Sequence, residues 1–123
     1  MSQKAENAVN YHKQFYSCSA SVLCAFSEDA GMTEKEARSA AMPFAGGKMG
    51  KCGAVLAAEY VLGKKFPPDI AQKKAAEFEK RFTEMNQTLM CKELKGSLTG
   101  KAIRSCRGCV TDAAQLLDEL LHE

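Results

Sequence analysis

Tyr11, Phe15, Cys18, Val22 and Phe26 recur at steps of three and four, the spacing of one apolar face on a helix. An amphipathic helix is therefore predicted to open the chain, with Gly31 placed to end it. Thr33-Glu34-Lys35-Glu36 has the form of a capping box and starts a short helix running toward Phe44. Pro43 weakens its end, and the glycines of AGGKMGKCG predict a loose or tightly turned backbone rather than a helix. In CGAVLAAEYVLG the small residues Gly53, Ala54, Ala57, Ala58 and Val61 fall at helical spacing, with Cys52 in the first turn. Pro67-Pro68-Asp69 stops that helix and begins a longer one, in which Ala71, Ala75, Phe78, Phe82, Met85 and Leu89 form the most regular stripe of the chain. Residues 91–105 read as a helical turn plus a loop. The last helix carries Cys106, Val110, Ala113, Leu117 and Leu120 on one face, with Ser105 as its cap.

No stretch alternates with period two for long enough to make a sheet. The pattern predicts an all-α fold, a compact bundle of about five helices, with residues 1–123 as a single helical, cysteine-rich domain. At 46% hydrophobic and 26% charged residues the chain can bury one core without crosslinks.

Charge removes some functions. The 17 basic and 15 acidic residues leave +2 without a basic stripe, and there is no Trp for base stacking, so nucleic acid is not an expected partner. The first residues lack the form of a secretory signal, and no apolar run is long enough for a bilayer span, so no membrane association is expected and the expected location is cytoplasmic.

That setting makes the cysteines at 18, 24, 52, 91, 106 and 109 informative, because a reducing compartment keeps thiols reduced unless they bind metal or do redox chemistry. Cys106 and Cys109 form a C-x-x-C pair at a helix start, where free N–H groups favour thiolates; this is a candidate catalytic redox pair. Cys52 starts another helix, and Lys48 and Lys51 are expected to lower its pKa further. Cys18 lies on a core stripe, Cys91 follows the longest helix, and short connections between antiparallel helices could bring several of these sulfurs together. Cys24 is on a different part of the first helix from Cys18. His12 reads as a surface or half-buried residue rather than a ligand, and the six methionines as core filler.

The succession SCSASVLCAF, FAGGKMGKCGAV, MCKELKG and SCRGCVTDAAQLL resembles the redox-active proteins named for the C_GCAxxG_C_C pattern, relatives of a region of split-Soret cytochromes. The resemblance covers most of the chain and implies a redox or metal-binding role for Cys18, Cys52, Cys91 and Cys106. Cys24 and Cys109 are additional to the pattern, and Ala57 stands where its closing glycine would be. Four matched thiols exceed what a dithiol exchange needs, which favours iron, as an iron–sulfur cluster passing single electrons to a redox partner protein, with zinc as the alternative metal. A homodimer is compatible with this reading. The competing expectations are a dithiol/disulfide couple, a helical interaction module whose cysteines serve packing or structural zinc, and an exported bundle stapled by disulfides. No motif assigns an enzyme class.

Overall fold

The computed structural model describes residues 2–47, 49–96 and 100–123. Among them the elements are α1 (Gln3–Lys13), α2 (Cys18–Ala25), α3 (Glu34–Ala41), a 3-10 helix (Met42–Gly47), α4 (Gly53–Lys65), α5 (Pro68–Asn86), the short α6 (Cys91–Lys95) and α7 (Cys106–Leu121). The all-helical class agrees with the sequence pattern. The helix number does not: seven α-helices stand where about five were expected.

Most of the difference lies in the first segment. The apolar stripe from Tyr11 to Phe26 belongs to two helices, broken where Phe15 takes a left-handed φ of 71° and projects its ring into solvent at 97% exposure. Ser17 caps the second helix by accepting from the Ala20 N–H at 3.2 Å. Periodicity misled here because α2 has no polar face: all of Cys18 to Cys24 is buried. Its serines survive burial by bonding backbone, Ser19 Oγ donating to the Ala41 carbonyl at 2.9 Å and Ser21 Oγ to the Ser17 carbonyl at 2.7 Å.

Helix α2 is central, packed against α1, α3, α4 and α7. Close approach to α4 follows from the latter's Gly53, Ala54, Ala57 and Ala58, all buried. Ala57, the departure from the family glycine, is fully enclosed, so a methyl group is accommodated there. Phe26, Phe78, Phe82, Leu23, Leu62 and Leu117 fill the remaining core. The capping box on Thr33 is present, with Thr33 Oγ1 accepting from the Glu36 N–H and Glu36 accepting from the Thr33 N–H.

Three other expectations change. The stripe of α5 stops at Phe82, since Met85 is exposed and the helix ends at Asn86 with Gln87 at φ 72°. Four of the five described methionines do not fill the core: Met42, Met49, Met85 and Met90 are exposed, while Met32 packs against it. The segment before Gly50 is partly a 3-10 helix rather than wholly irregular. No helix among the described residues is long and apolar enough to cross a membrane.

Candidate functional site, a thiol cluster at four helix starts

Cys18 is the first residue of α2, Cys91 the first of α6 and Cys106 the first of α7, while Cys52 is the N-cap of α4. A helix start leaves backbone N–H groups without intrahelical acceptors and carries the positive end of the dipole. Four such ends converge here, so the fold concentrates the partial charges that favour thiolates over thiols. The signal is local in sequence: Ser17 caps α2 just before Cys18, and Ser105 caps α7 just before Cys106, accepting from the Gly108 N–H at 2.9 Å.

Two backbone devices align the other pair. An isolated antiparallel bridge joins Lys51 to Met90. The Cys52 N–H donates to the Leu89 carbonyl at 2.7 Å and the Cys91 N–H to the Gly50 carbonyl at 3.0 Å, which holds these cysteines side by side. Gly53 then lets α4 slide against α2: a methyl at this position would lie 2.6 Å from the Phe44 carbonyl oxygen and 2.7 Å from Cys18 Sγ. Glycine after Cys52 is thus needed for contact with Cys18.

Cys18, Cys52, Cys91, Cys106 and Cys109 all line one pocket, with Leu94, Lys95 and Arg104 completing the wall. The free space is only ≈ 10 Å³, about what one water needs. Cys106 is half-buried and the other four are buried. Cys24 stands apart. It is enclosed near Lys4, Tyr11 and Glu28, its thiol lies 3.7 Å from the Glu34 carbonyl, and burial, then Glu34, push its pKa up to about 11. A larger groove of ≈ 550 Å³ between Phe15–Ala20 and Glu34–Met42 contains no thiol.

Inside the cluster the sulfurs interact in pairs. Cys109 donates to Cys52; this hydrogen bond is the main reason the Cys52 pKa is lowered, with help from the Ala54 and Val55 N–H groups, against burial and the charge of Cys18. The same bond, with burial, raises the pKa of Cys109. Cys106 donates to Cys18, and its own pKa rises through that bond and burial, opposed by Lys95. The C-x-x-C residues expected to act on each other are therefore each engaged with a sulfur from another helix.

The cations differ from those expected. Lys51 Nζ is 2.6 Å from Glu79 and 3.9 Å from Glu59, an ion-pair cluster outside the thiol pocket; Lys48 lies outside the described residues. Lys95 takes the role instead: the Cys91 charge is the largest influence on its ammonium and raises its pKa, with further contributions from Cys106 and Cys18. Arg104 lies across Gly108, where a side chain would meet its guanidinium at 2.5 Å. It is anchored by Asp112 through two hydrogen bonds of 3.1 and 3.2 Å, and Asp112 also accepts from buried Asn86 at 3.2 Å. Sequence spacing missed Lys95 and Arg104 because their relevance depends on the turn at Gly96, φ 76°, which brings the two segments together. His12 is away from the pocket, accepting from Arg107 Nε at 3.2 Å.

The donor set is all sulfur, the chemistry of iron–sulfur and zinc sites. Its spacing is different: among the described residues no three His, Cys, Asp or Glu side chains are grouped to hold one metal ion. No curated protein and no solved structure matches the chain. Residues 16–120, which span every element from α2 to the end of the α7 stripe, match the family model described as "Putative redox-active protein (C_GCAxxG_C_C)", and the chain belongs to that family.

Proposed function

We propose that the chain is a thiol redox protein in which Cys18–Cys106 and Cys52–Cys109 act as two dithiol/disulfide couples. The observation that supports this is the pairing itself: one pocket brings Cys18 against Cys106 and Cys52 against Cys109, and in each couple one sulfur shifts the other's pKa by hydrogen bonding. Oxidising either pair forms one S–S bond, releases two protons and passes two electrons to a partner disulfide, which is reduced to two thiols. Cys91 keeps Lys95 over the cluster, where its charge favours the anionic form of the sulfurs.

A second reading rests on the number of thiols. Cys18, Cys52, Cys91 and Cys106 come from four helix starts and would hold iron, which would supply one-electron transfer when bound. That use requires the paired sulfurs to separate, because the pocket is nearly closed.

Anaerobic purification followed by iron and acid-labile sulfide analysis, then thiol counting before and after diamide, separates these readings. The dithiol reading expects iron-free protein that loses four thiols reversibly under native conditions, with Cys18–Cys106 and Cys52–Cys109 disulfides on peptide mapping. Tightly held iron and sulfide would establish the second reading in its place. Thiols that react only after unfolding would overturn both and leave a helical module with packing cysteines.

A further inference from the structure

The charge of the chain is concentrated around the thiols. Residues 91 to 109 contain Lys92, Lys95, Lys101, Arg104 and Arg107 against one carboxylate, Glu93, so this stretch is net +4 in a chain whose total is +2; the remainder is net −2. All five cationic residues are exposed, and Lys95 and Arg104 line the pocket. Two carboxylates temper the field: Asp112 engages Arg104, and Glu93 accepts from Thr88 Oγ1 at 2.7 Å. Beyond the lining pair, Lys92 and Arg107 adjoin Cys91 and Cys106 in sequence, Arg107 also donating to His12 at 3.2 Å.

Access is equally uneven. Cys18, Cys52, Cys91 and Cys109 are buried, and Cys106 alone among the pocket thiols is half-open to solvent. It sits in sequence between Arg104 and Arg107 and contacts Cys18 behind it. An incoming disulfide therefore meets Cys106 first, within a positive collar.

We propose that the oxidised substrate of this site is a disulfide flanked by carboxylates, attacked by Cys106 and resolved by Cys18. This rests on the dithiol reading above. The pair attacks as a mono-anion: its one proton, which rests on Cys106, passes to Cys18 along the hydrogen bond between them as Cys106 attacks. Cys106 sulfur bonds to one substrate sulfur and the other leaves as a thiolate, which takes the proton from Cys18. The Cys18 thiolate then attacks the Cys106 sulfur of the mixed disulfide and expels the second substrate thiolate, giving a Cys18–Cys106 disulfide and two reduced substrate sulfurs. The collar raises the local concentration of an anionic disulfide and stabilises the thiolates that leave.

The test uses the reduced full-length protein and three probes: a peptide with an internal disulfide flanked by Glu, the same peptide flanked by Lys, and oxidised glutathione. Reaction is followed by loss of protein thiols at several ionic strengths. The Glu-flanked peptide is expected to react at least about tenfold faster than the Lys-flanked one, an advantage that shrinks as salt is added. The double variant Lys92→Glu, Arg107→Glu is expected to abolish that ratio. Each change adds an acidic residue in the first turn of a helix, which favours folding.

Oxidised glutathione matching the Glu-flanked peptide assigns a small anionic disulfide, and a faster peptide assigns a protein-borne one; both support the charge selection. Equal rates for the two peptides, or a ratio unchanged in the variant, would overturn it while leaving the dithiol reading intact. If no probe or diamide oxidises the native protein, the dithiol reading itself falls.

Discussion

Gly53→Ala tests the contact on which the cluster depends. The added methyl would sit 2.6 Å from the Phe44 carbonyl oxygen and 2.7 Å from Cys18 Sγ. Ordinary contacts begin near 3.4 Å, so about 0.7–0.8 Å must open between α4 and both neighbours. Neither can yield easily, because Phe44 presents backbone and Cys18 is buried at the start of a fully enclosed helix. Overpacking of this kind costs about 1–3 kcal/mol, and the better helix propensity of Ala returns at most about 1 kcal/mol at this first helical position. The net expectation is a loss of roughly 1–2 kcal/mol. With about 2.1 cal/mol/K of unfolding entropy per residue, that lowers Tm by about 4–8 °C. Displacing Cys18 Sγ should also slow formation of the Cys18–Cys106 disulfide. Gly63→Ala is the control, since nothing lies within 4 Å of its added methyl on the exposed face of the same helix. It should stabilise by about 0.5–1 kcal/mol. Thermal unfolding by circular dichroism and diamide-driven thiol loss measure both effects. A Gly53→Ala protein as stable as its parent, with unchanged thiol kinetics, would refute the claim that this glycine sets the sulfur positions.

Three further outcomes follow from groups around the site. Burial, then Glu79, raises the pKa of Glu59 to about 8, so between the ordinary 4.5 and about 8 the unfolded chain gives up a proton that folded Glu59 keeps. That contribution to stability is full below 4.5 and lost as pH rises through 8; Glu79, whose pKa is lowered by Glu59 and Lys51, contributes the opposite dependence below 4.5. Denaturant melts should therefore show Glu59→Gln gaining on the parent steadily from pH 5 to about pH 8, and a constant difference would contradict the shared proton. Cys24, held near 11, has only about a thousandth of its thiol ionised at pH 8. Iodoacetamide mapping should leave it unlabelled in the native protein, and Cys24→Ala should retain all diamide-sensitive thiols. Asp112→Ala removes both Arg104 bonds and the shorter of the two bonds made by the buried Asn86 amide, which keeps the Phe82 carbonyl at 3.4 Å, a cost of about 1–3 kcal/mol by urea unfolding; a loss under about 0.5 kcal/mol would show that the network is not structural.

The helical class and the starts at Thr33, Ser105 and Pro67-Pro68 were legible because caps and prolines act within a few residues. The break at Phe15 was not. Its apolar ring continues the stripe, and only the exposed ring and left-handed backbone show that the stripe belongs to two helices. The five pocket cysteines were legible as residues, whereas their partners were not. Pairing C-x-x-C internally is natural from sequence, yet a turn of helix holds Cys106 and Cys109 in fixed relation while α2 and α4 approach from outside and offer each a sulfur as hydrogen-bonding partner.

What connects these residues is where helices begin. Cys24, in the last turn of α2, is away from any helix start, and burial and then Glu34 raise its pKa. A cysteine at a helix start meets unpaired N–H groups, and a second helix start placed against it adds to the same field. Cys52 shows the consequence: although it is buried, its pKa is lowered, because Cys109 and the Ala54 and Val55 N–H groups outweigh desolvation. At Cys52 the arrangement therefore lets a hydrophobic bundle favour negative sulfur in its wall, whereas Cys106, also at a helix start, is pushed the other way by Cys18 and burial; Gly53 and the bridge between Lys51 and Met90 are the backbone arrangements that bring these helix starts together.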